Sequence, residues 1–314
     1  MHTEMLIADE PGLNRAAAFL RDGALVAFPT ETVYGLGGDA RIDHAVASIF
    51  EAKQRPQFNP LIVHVADIQT AMDLADWNDN ADHLARAFWP GPLTLVLPLK
   101  NRSGLSHLVT AGLPDVAIRV PAHPVARALL SKLDGPIAAP SANPSGRISP
   151  TTAQHVASGL TGRISAILDG GDCAVGLEST IVGVSGQPTL LRPGGLPAEA
   201  LEAALGIPIK HRQPDDPLIA PGQMTSHYAP NSRVRLNAKE RHPNELLLGL
   251  GKMECDLNLS YAGDLTEAAA NLFRHLHTLD AQNATTIAIS PIPDTGLGKA
   301  INDRLLRAAA PKGA

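Results

Sequence analysis

Between Ala24 and Phe28 the chain is continuously apolar, and at Pro29 its character changes. Thr30, Glu31, Thr32, Val33 and Tyr34 follow, and then Gly35-Leu36-Gly37-Gly38. A buried strand ending where the backbone must come close to a ligand has this composition. So does a strand followed by a tight glycine turn. Both readings put a strand at 24–28 and an abrupt change of direction after it, and the pattern alone leaves them open.

The remaining chain supplies more corners of the same kind. Ala45 to Lys53 has helical spacing and runs into Lys53-Gln54-Arg55-Pro56, where two cations sit in a proline-stiffened loop. Such a pair suits a polyphosphate, and it also suits a solvated helix C-terminus. Leu61 to Val65 reads as a strand with His64 inside it, either a satisfied core histidine or a ligand. Val116 to Val120 carries Arg119 in an apolar run, where a guanidinium needs an anion or a carbonyl. Pro140-Ser141-Ala142-Asn143-Pro144 is a stiff polar turn. Gly170-Gly171, Glu178-Ser179-Thr180 and Arg192-Pro193-Gly194-Gly195 complete the set. Each alone is commonplace; five at strand ends in one α/β unit point to a convergent site for an anionic ligand.

Between these corners lie expected helices at 14–20, 68–75, 80–88, 124–133, 151–157 and 197–205. Ser149-Pro150 is expected to cap the helix at 151–157. Expected strands lie at 93–97, 164–168, 180–184 and 189–191. From Gln213 to Arg233 prolines and polar residues lose any period, which reads as a linker. Beyond it, strands at 246–250 and 286–290 alternate with helices at 265–279 and 300–309. This is a small α/β unit with a parallel sheet. At 314 residues two domains are the default, with boundaries at 1–212, 213–233 for a linker or lid, and 234–314.

Composition narrows the function classes. A formal charge of −5 without long charge runs argues against a protein whose main task is gripping nucleic acid. Aromatics at 4% are too few for base-stacking platforms. Two distant cysteines, Cys173 and Cys255, fit a reducing cytoplasm rather than a disulfide framework. The first ten residues lack the basic start and apolar core of a signal peptide. No segment approaches the ~20 apolar residues of a membrane span. Phosphate-loop, dinucleotide-fold, HExxH and GxSxG signatures are absent, as is close metal-ligand spacing.

Taken together and in this order, the motifs resemble those of the YrdC-like family, in the long two-domain form that makes threonylcarbamoyl-AMP. The resemblance rests on Phe28 to Gly37, on Lys53 and Arg55, and on Ser141 and Asn143. Glu178-Ser179-Thr180-Ile181 and Leu191-Arg192-Pro193-Gly194 extend it through the first domain. Ser226-His227-Tyr228-Ala229-Pro230 and Gly298 to Leu306 carry it into the second. It departs from the family at Thr225-Ser226, where basic residues are usual, and at Pro144, where an aliphatic residue is usual.

The resemblance implies a YrdC-like twisted open sheet with helices, plus a smaller C-terminal Rossmann-like α/β domain joined by a Pro-rich linker. It implies a nucleotidyltransferase that condenses L-threonine, bicarbonate or CO2 and ATP into threonylcarbamoyl-AMP and pyrophosphate. Other proteins then pass the threonylcarbamoyl group to an adenosine of tRNA. Lys53 and Arg55 would be catalytic, neutralising phosphate charge. Thr32, His64, Arg119 and Ser179 would hold L-threonine, with Arg119 on its carboxylate. Lys53, Arg55, Asn59, Ser141, Asn143, Ser149, Arg192 and Tyr228 would hold ATP, Tyr228 folding back as a lid. Mg2+ would arrive on the ATP phosphates, with no dedicated protein metal site. No stable nucleic-acid binding, no membrane and a cytoplasmic location are expected. Two rivals keep the fold: an RNA-binding module, which needs a basic concave face, and a carbamoyltransferase, whose zinc-finger cysteines and acylphosphatase-like segment are missing.

Overall fold

The computed structural model describes residues 2–56, 58–212 and 227–311. Of the linker expected at 213–233, residues 213–226 lie outside the described residues, and with them Thr225 and Ser226. The chain opens with β1 (Glu4–Ile7), α1 (Glu10–Arg21), β2 (Val26–Phe28), β3 (Gly35–Asp39), α2 (Asp43–Lys53) and β4 (Ile62–His64). Then come α3 (Ile68–Leu74), α4 (Asp79–Phe88), β5 (Leu93–Pro98), β6 (Asp115–Arg119), α5 (Pro124–Leu133) and β7 (Ile137–Ala138). The first sheet is completed by α6 (Ala153–Leu160), β8 (Ala166–Asp169), β9 (Thr180–Gly183), β10 (Thr189–Arg192), α7 (Ala198–Leu205) and β11 (Lys210–His211). The rest is β12 (Arg233–Arg235), β13 (Glu245–Gly249), β14 (Leu257–Asn258), α8 (Leu265–Asp280), β15 (Thr286–Ile289) and α9 (Leu297–Ala309).

Strands β1 to β11 form one mixed sheet in the order β1-β8-β2-β3-β7-β4-β6-β5-β9-β10-β11. Strand alternation sorts its side chains onto two faces. Ala27, Val63, Leu95, Ile118 and Val182 point into the large core under α2, α3, α4, α6 and α7. On the other face, Val26 and Phe28 pack under α1 and α5, and Ile62, Val96, Ala117 and Ile181 form a smaller cluster. His64 and Arg119 share the parity of that second face and are register partners in the parallel β4–β6 pair. The middle of the face thus carries polar side chains between apolar flanks.

Strands β12 to β15 form a parallel sheet in the order β12-β15-β13-β14. Its core joins that of the first part: Val33, Ile148, Leu177 and Tyr228 pack with Leu272, Phe273, Ile301 and Leu305. The second domain therefore covers the face on which His64 and Arg119 sit.

Two local expectations are corrected. The glycines after Tyr34 make a buried strand, β3, antiparallel to β2, rather than a turn. A Cβ at Gly37 would meet the Phe28 ring and Ile137 at 2.9 Å, so neighbouring large side chains demand the glycine. The cap of α6 is Thr152, which accepts from the His155 amide at 3.1 Å, rather than Ser149. The Ser149 hydroxyl turns instead to Glu178.

Candidate active site

One cleft opens on the polar face of the large sheet. It gathers side chains from eight separate stretches. Arg55 enters from the loop after α2, His64 from the end of β4 and Arg119 from the end of β6. Thr32, Ser141 and Ser179 come from loops, Arg192 from the end of β10, and Tyr228 from the segment that leads into the second domain.

The Thr30-Glu31-Thr32 loop wraps the Arg119 guanidinium. Thr30 Oγ1 donates to the Val33 carbonyl at 2.6 Å and lies 2.8 Å from Thr32 Oγ1, so its hydroxyl closes a local turn. Arg119 Nη1 donates to Thr32 Oγ1 at 2.9 Å, Nη2 to Glu31 Oε1 at 2.5 Å and Nε to the Gly91 carbonyl at 3.1 Å. The anion this buried arginine requires is thus Glu31 within the protein. Burial would raise the Glu31 carboxyl, but the Arg119 charge and hydrogen bond hold it below its usual range. Three of Arg119's five N–H groups are engaged, which leaves two for a ligand. His64, beside it, is buried with Nδ1 unpartnered. Its pKa is pushed down to about 3, first by burial and then by the Arg119 charge, so the ring is neutral.

Across the cleft the charge is positive. Arg55 donates to the carbonyls of Asn59 at 3.3 Å and Pro60 at 3.0 Å. Carbonyls orient its guanidinium without neutralising it. Burial lowers its pKa to about 10, against the opposing pull of Tyr228, and it remains charged at neutral pH. Arg192 donates to the Ser179 carbonyl at 2.8 Å and to Ser179 Oγ at 3.2 Å. Tyr228 is 1% exposed, with its ring stacked 5.7 Å from Phe273 of α8.

Eight of the twelve residues expected at a site line this cleft, and four do not: Lys53, Asn59, Asn143 and Ser149. All four are buried. The Lys53 ammonium donates to the Ser141 carbonyl at 2.5 Å and to that of Asn143. Burial, and then the nearby Arg55, push its pKa well below the usual lysine value. In this structure Lys53 therefore clamps the Ser141–Asn143 turn from behind. Asn59 stands behind Arg55, which its carbonyl orients. Asn143 donates to Pro144 and Arg147 carbonyls and lines a separate interdomain cavity beside His155 and His277. Ser149 donates to Glu178.

Comparison with known proteins fits this geometry into a family. A family model described as telomere recombination matches residues 18–194. One described as threonylcarbamoyl-AMP synthase, C-terminal domain, matches residues 196–310. The threonylcarbamoyl-AMP synthases of Pyrococcus abyssi and Bacillus subtilis are 42% and 43% identical, over 94% and 98% of this chain and 93% and 95% of theirs. The chain belongs to the threonylcarbamoyl-AMP synthase family. The crystal structure of P. abyssi Sua5 complexed with L-threonine superposes at a TM-score of 0.90, with 38% identity and 98% of each chain covered. The YciO structure of E. coli, 21% identical, matches 62% of this chain at a TM-score of 0.56 and shows a shared fold.

Sequence reasoning missed several residues that build this family member's cleft. Glu178 and His227 line it, and Glu31 neutralises Arg119. Arg304, from α9 of the second domain, meets Glu178 at 2.7 Å. Glu178 and His227 lay inside motifs already singled out, and for them the signal was there. Nothing local marks the pairing of Arg304 with a residue 126 positions away.

Among the described residues no group of three or more His, Cys, Asp or Glu side chains is placed to hold a metal ion. Likewise, no helix among them is long and apolar enough to cross a membrane.

Proposed function

We propose that this cleft condenses L-threonine, CO2 or bicarbonate and MgATP into L-threonylcarbamoyl-AMP and pyrophosphate, the first step of threonylcarbamoyl-adenosine formation in tRNA. The observation that carries the reading is convergence. Three guanidiniums, two histidines and five hydroxyl side chains from separated stretches meet in one cleft, in a chain that belongs to this synthase family. That a P. abyssi relative has been solved with L-threonine supports the amino-acid half of the site.

The chemistry asks little of an acid or base. The threonine amine adds to CO2 and loses a proton, giving a carbamate. A carbamate oxygen attacks the α-phosphorus of ATP, and the bond to the β-phosphate oxygen breaks as Mg-pyrophosphate leaves. Catalysis then consists of alignment and neutralisation of developing charge. Arg55 and Arg192 neutralise phosphate oxygens. The two remaining N–H groups of Arg119 receive the threonine carboxylate, oriented by Glu31. Thr32, His64 and Ser179 contact threonine's amine and hydroxyl, and Ser141 and Tyr228 contact the nucleotide. Lys53, Asn59, Asn143 and Ser149 act on ATP from behind the wall, by fixing the loops that touch it. Mg2+ enters as part of MgATP. The product goes to a threonylcarbamoyl-transfer complex acting on tRNA, in the cytoplasm, where two unpaired cysteines stay reduced.

Pyrophosphate release, with threonine and bicarbonate each present or omitted, tests the reading. Release that requires both, with L-serine much weaker, is the expected result. Threonine-independent release, or RNA binding without ATP turnover, overturns it.

A further inference from the structure

We propose that Arg304 of the second domain is a positioning residue for the ATP half of the cleft, so that nucleotide affinity depends on how α9 docks against the large sheet. The proposal rests on the synthase reading above for its substrate.

Arg304 is 1% exposed, although it belongs to a different domain from the cleft. Its planar fork reaches three pieces of the cleft wall at once. Nε donates to Glu178 Oε2 at 2.7 Å, and Nη2 donates to the Pro193 carbonyl at 3.0 Å. The guanidinium carbon lies 5.1 Å from the centroid of the Tyr228 ring. Nη1 is anchored within α9 by Asp303 at 2.5 Å. Only a rigid, multi-donor side chain can serve these partners together.

Each partner touches a cleft residue. Pro193 follows Arg192. Glu178 precedes Ser179, whose carbonyl and hydroxyl accept from Arg192. The two stretches are already pressed together, since the Gly195 amide donates to the Glu178 carbonyl at 2.9 Å. Tyr228 is held in the left-handed backbone region at φ 62°, a conformation that persists when surrounding contacts dictate it. Arg304 on one side and Phe273 on the other supply such contacts. The amide of His227 donates to the Arg307 carbonyl one turn along the same helix, at 3.3 Å.

Charge gives the arrangement its purpose. Glu178 is a buried carboxylate lining the cleft, with Arg304 and Arg192 as its cationic neighbours and Ser149 Oγ as a further donor. Arg304 ion-pairs with Glu178 directly, while Arg192 donates to the Ser179 carbonyl and hydroxyl and lines the cleft. Without Arg304, the nearest cation for Glu178 is the one that phosphate needs. The threonine side shares only Ser179 with this chain of contacts, because Arg119's partners Gly91, Thr32 and Glu31 all belong to loops of the large sheet.

The test uses the full chain carrying Arg304→Met, which removes every contact, and Arg304→Lys, which keeps a charge but loses the fork. Calorimetry measures MgATP and L-threonine binding separately, and pyrophosphate release gives kcat and KM. The Met variant should lose about a hundredfold in kcat/KM for ATP, and the Lys variant about tenfold, while threonine Kd stays within about twofold of the parent. Should the Met variant fail to melt cooperatively, the Lys variant decides. Unchanged ATP parameters in a folded variant overturn the proposal. So does equal loss of threonine and ATP binding, which marks a merely structural residue. A parent that binds both ligands but releases no pyrophosphate sinks the synthase reading instead, and ATP affinity in the variants still judges Arg304.

Discussion

Replacing Gly194 by alanine tests the close approach that sets Arg192. A Cβ built at Gly194 falls 2.4 Å from the Glu178 carbonyl oxygen, and 2.5 Å from both the Ser179 carbonyl carbon and the Thr180 nitrogen. These are backbone atoms and cannot rotate away. Ordinary van der Waals contact at such a position begins at 3.4 Å, so the 192–195 turn and the 178–180 segment must part by about 1 Å. A displacement of that size at a positioning element costs on the order of a hundredfold in turnover. Overpacking of this kind costs about 1–3 kcal/mol of stability, or roughly 2–4 °C in melting temperature per kcal/mol for a chain of this order of size. The sign is informative. Gly194 has no positive φ, and without a clash Gly→Ala stabilises by about 0.4–1 kcal/mol through the unfolded chain. Gly186, exposed and with nothing within 4 Å of its would-be Cβ, supplies the control. Thermal melts and ATP-dependence of pyrophosphate release are measured on both variants. Gly194→Ala should melt lower and lose ATP turnover, while Gly186→Ala stays at or above the parent. Two variants of equal stability with parental ATP kinetics would refute the close-approach reasoning.

Arg55→Ala should lower turnover by about a hundredfold or more while the cooperative melt survives; near-parental turnover contradicts its phosphate role. Lys53→Met leaves the Ser141 and Asn143 carbonyls without their buried donor, and it should cost about 1–3 kcal/mol of stability as well as turnover. A Lys53 variant with normal stability would show that the clamp carries no weight. Acid should destabilise the fold before carboxylates titrate. His64 is held at about 3 by burial and the Arg119 charge, and the half-buried His155 at about 3 by burial, His277 and Arg274. Each folded pKa lies below the unfolded value, so the unfolded chain binds the proton first. Stability is complete above about pH 6.5 and falls on acidification toward pH 3, by at most about 1.4 kcal/mol per pH unit for a fully buried histidine. Urea midpoints at pH 7.5 and 5.0 measure this, and equal midpoints contradict it.

The parts of this molecule that were legible in the sequence are those written locally. Proline- and glycine-rich corners marked the loops and strand ends from which Arg55, Ser141, Ser179 and Arg192 enter one cleft, and polar residues in apolar strands marked His64 and Arg119. Period and capping located α2, α4, α5 and α8 to within a residue or two. What escaped depends on partners far along the chain. Two adjacent glycines look like a turn until their neighbours in β3 are seen, Phe28 and Ile137 over Gly37 and Leu25, Ala45 and Ile49 over Gly38. Lys53 reads as a phosphate cation because its spacing from Arg55 is visible, whereas the carbonyls that cap it lie 88 and 90 positions away. Arg119 reads as needing an anion or a carbonyl, and which ones is not visible: Glu31, 88 positions away, and the Gly91 carbonyl. In each case residue type was readable and the choice of counter-ion was not, because pairing is decided by which loops the sheet order brings together.

The measurement that bears most directly on the central claim is the mass of the nucleotide product formed with isotopically heavy bicarbonate, L-threonine and MgATP. A heavy-labelled adenylate that also contains threonine, formed together with pyrophosphate, is the predicted result. Unlabelled AMP, or unchanged ATP under conditions where the protein binds both ligands, would contradict it.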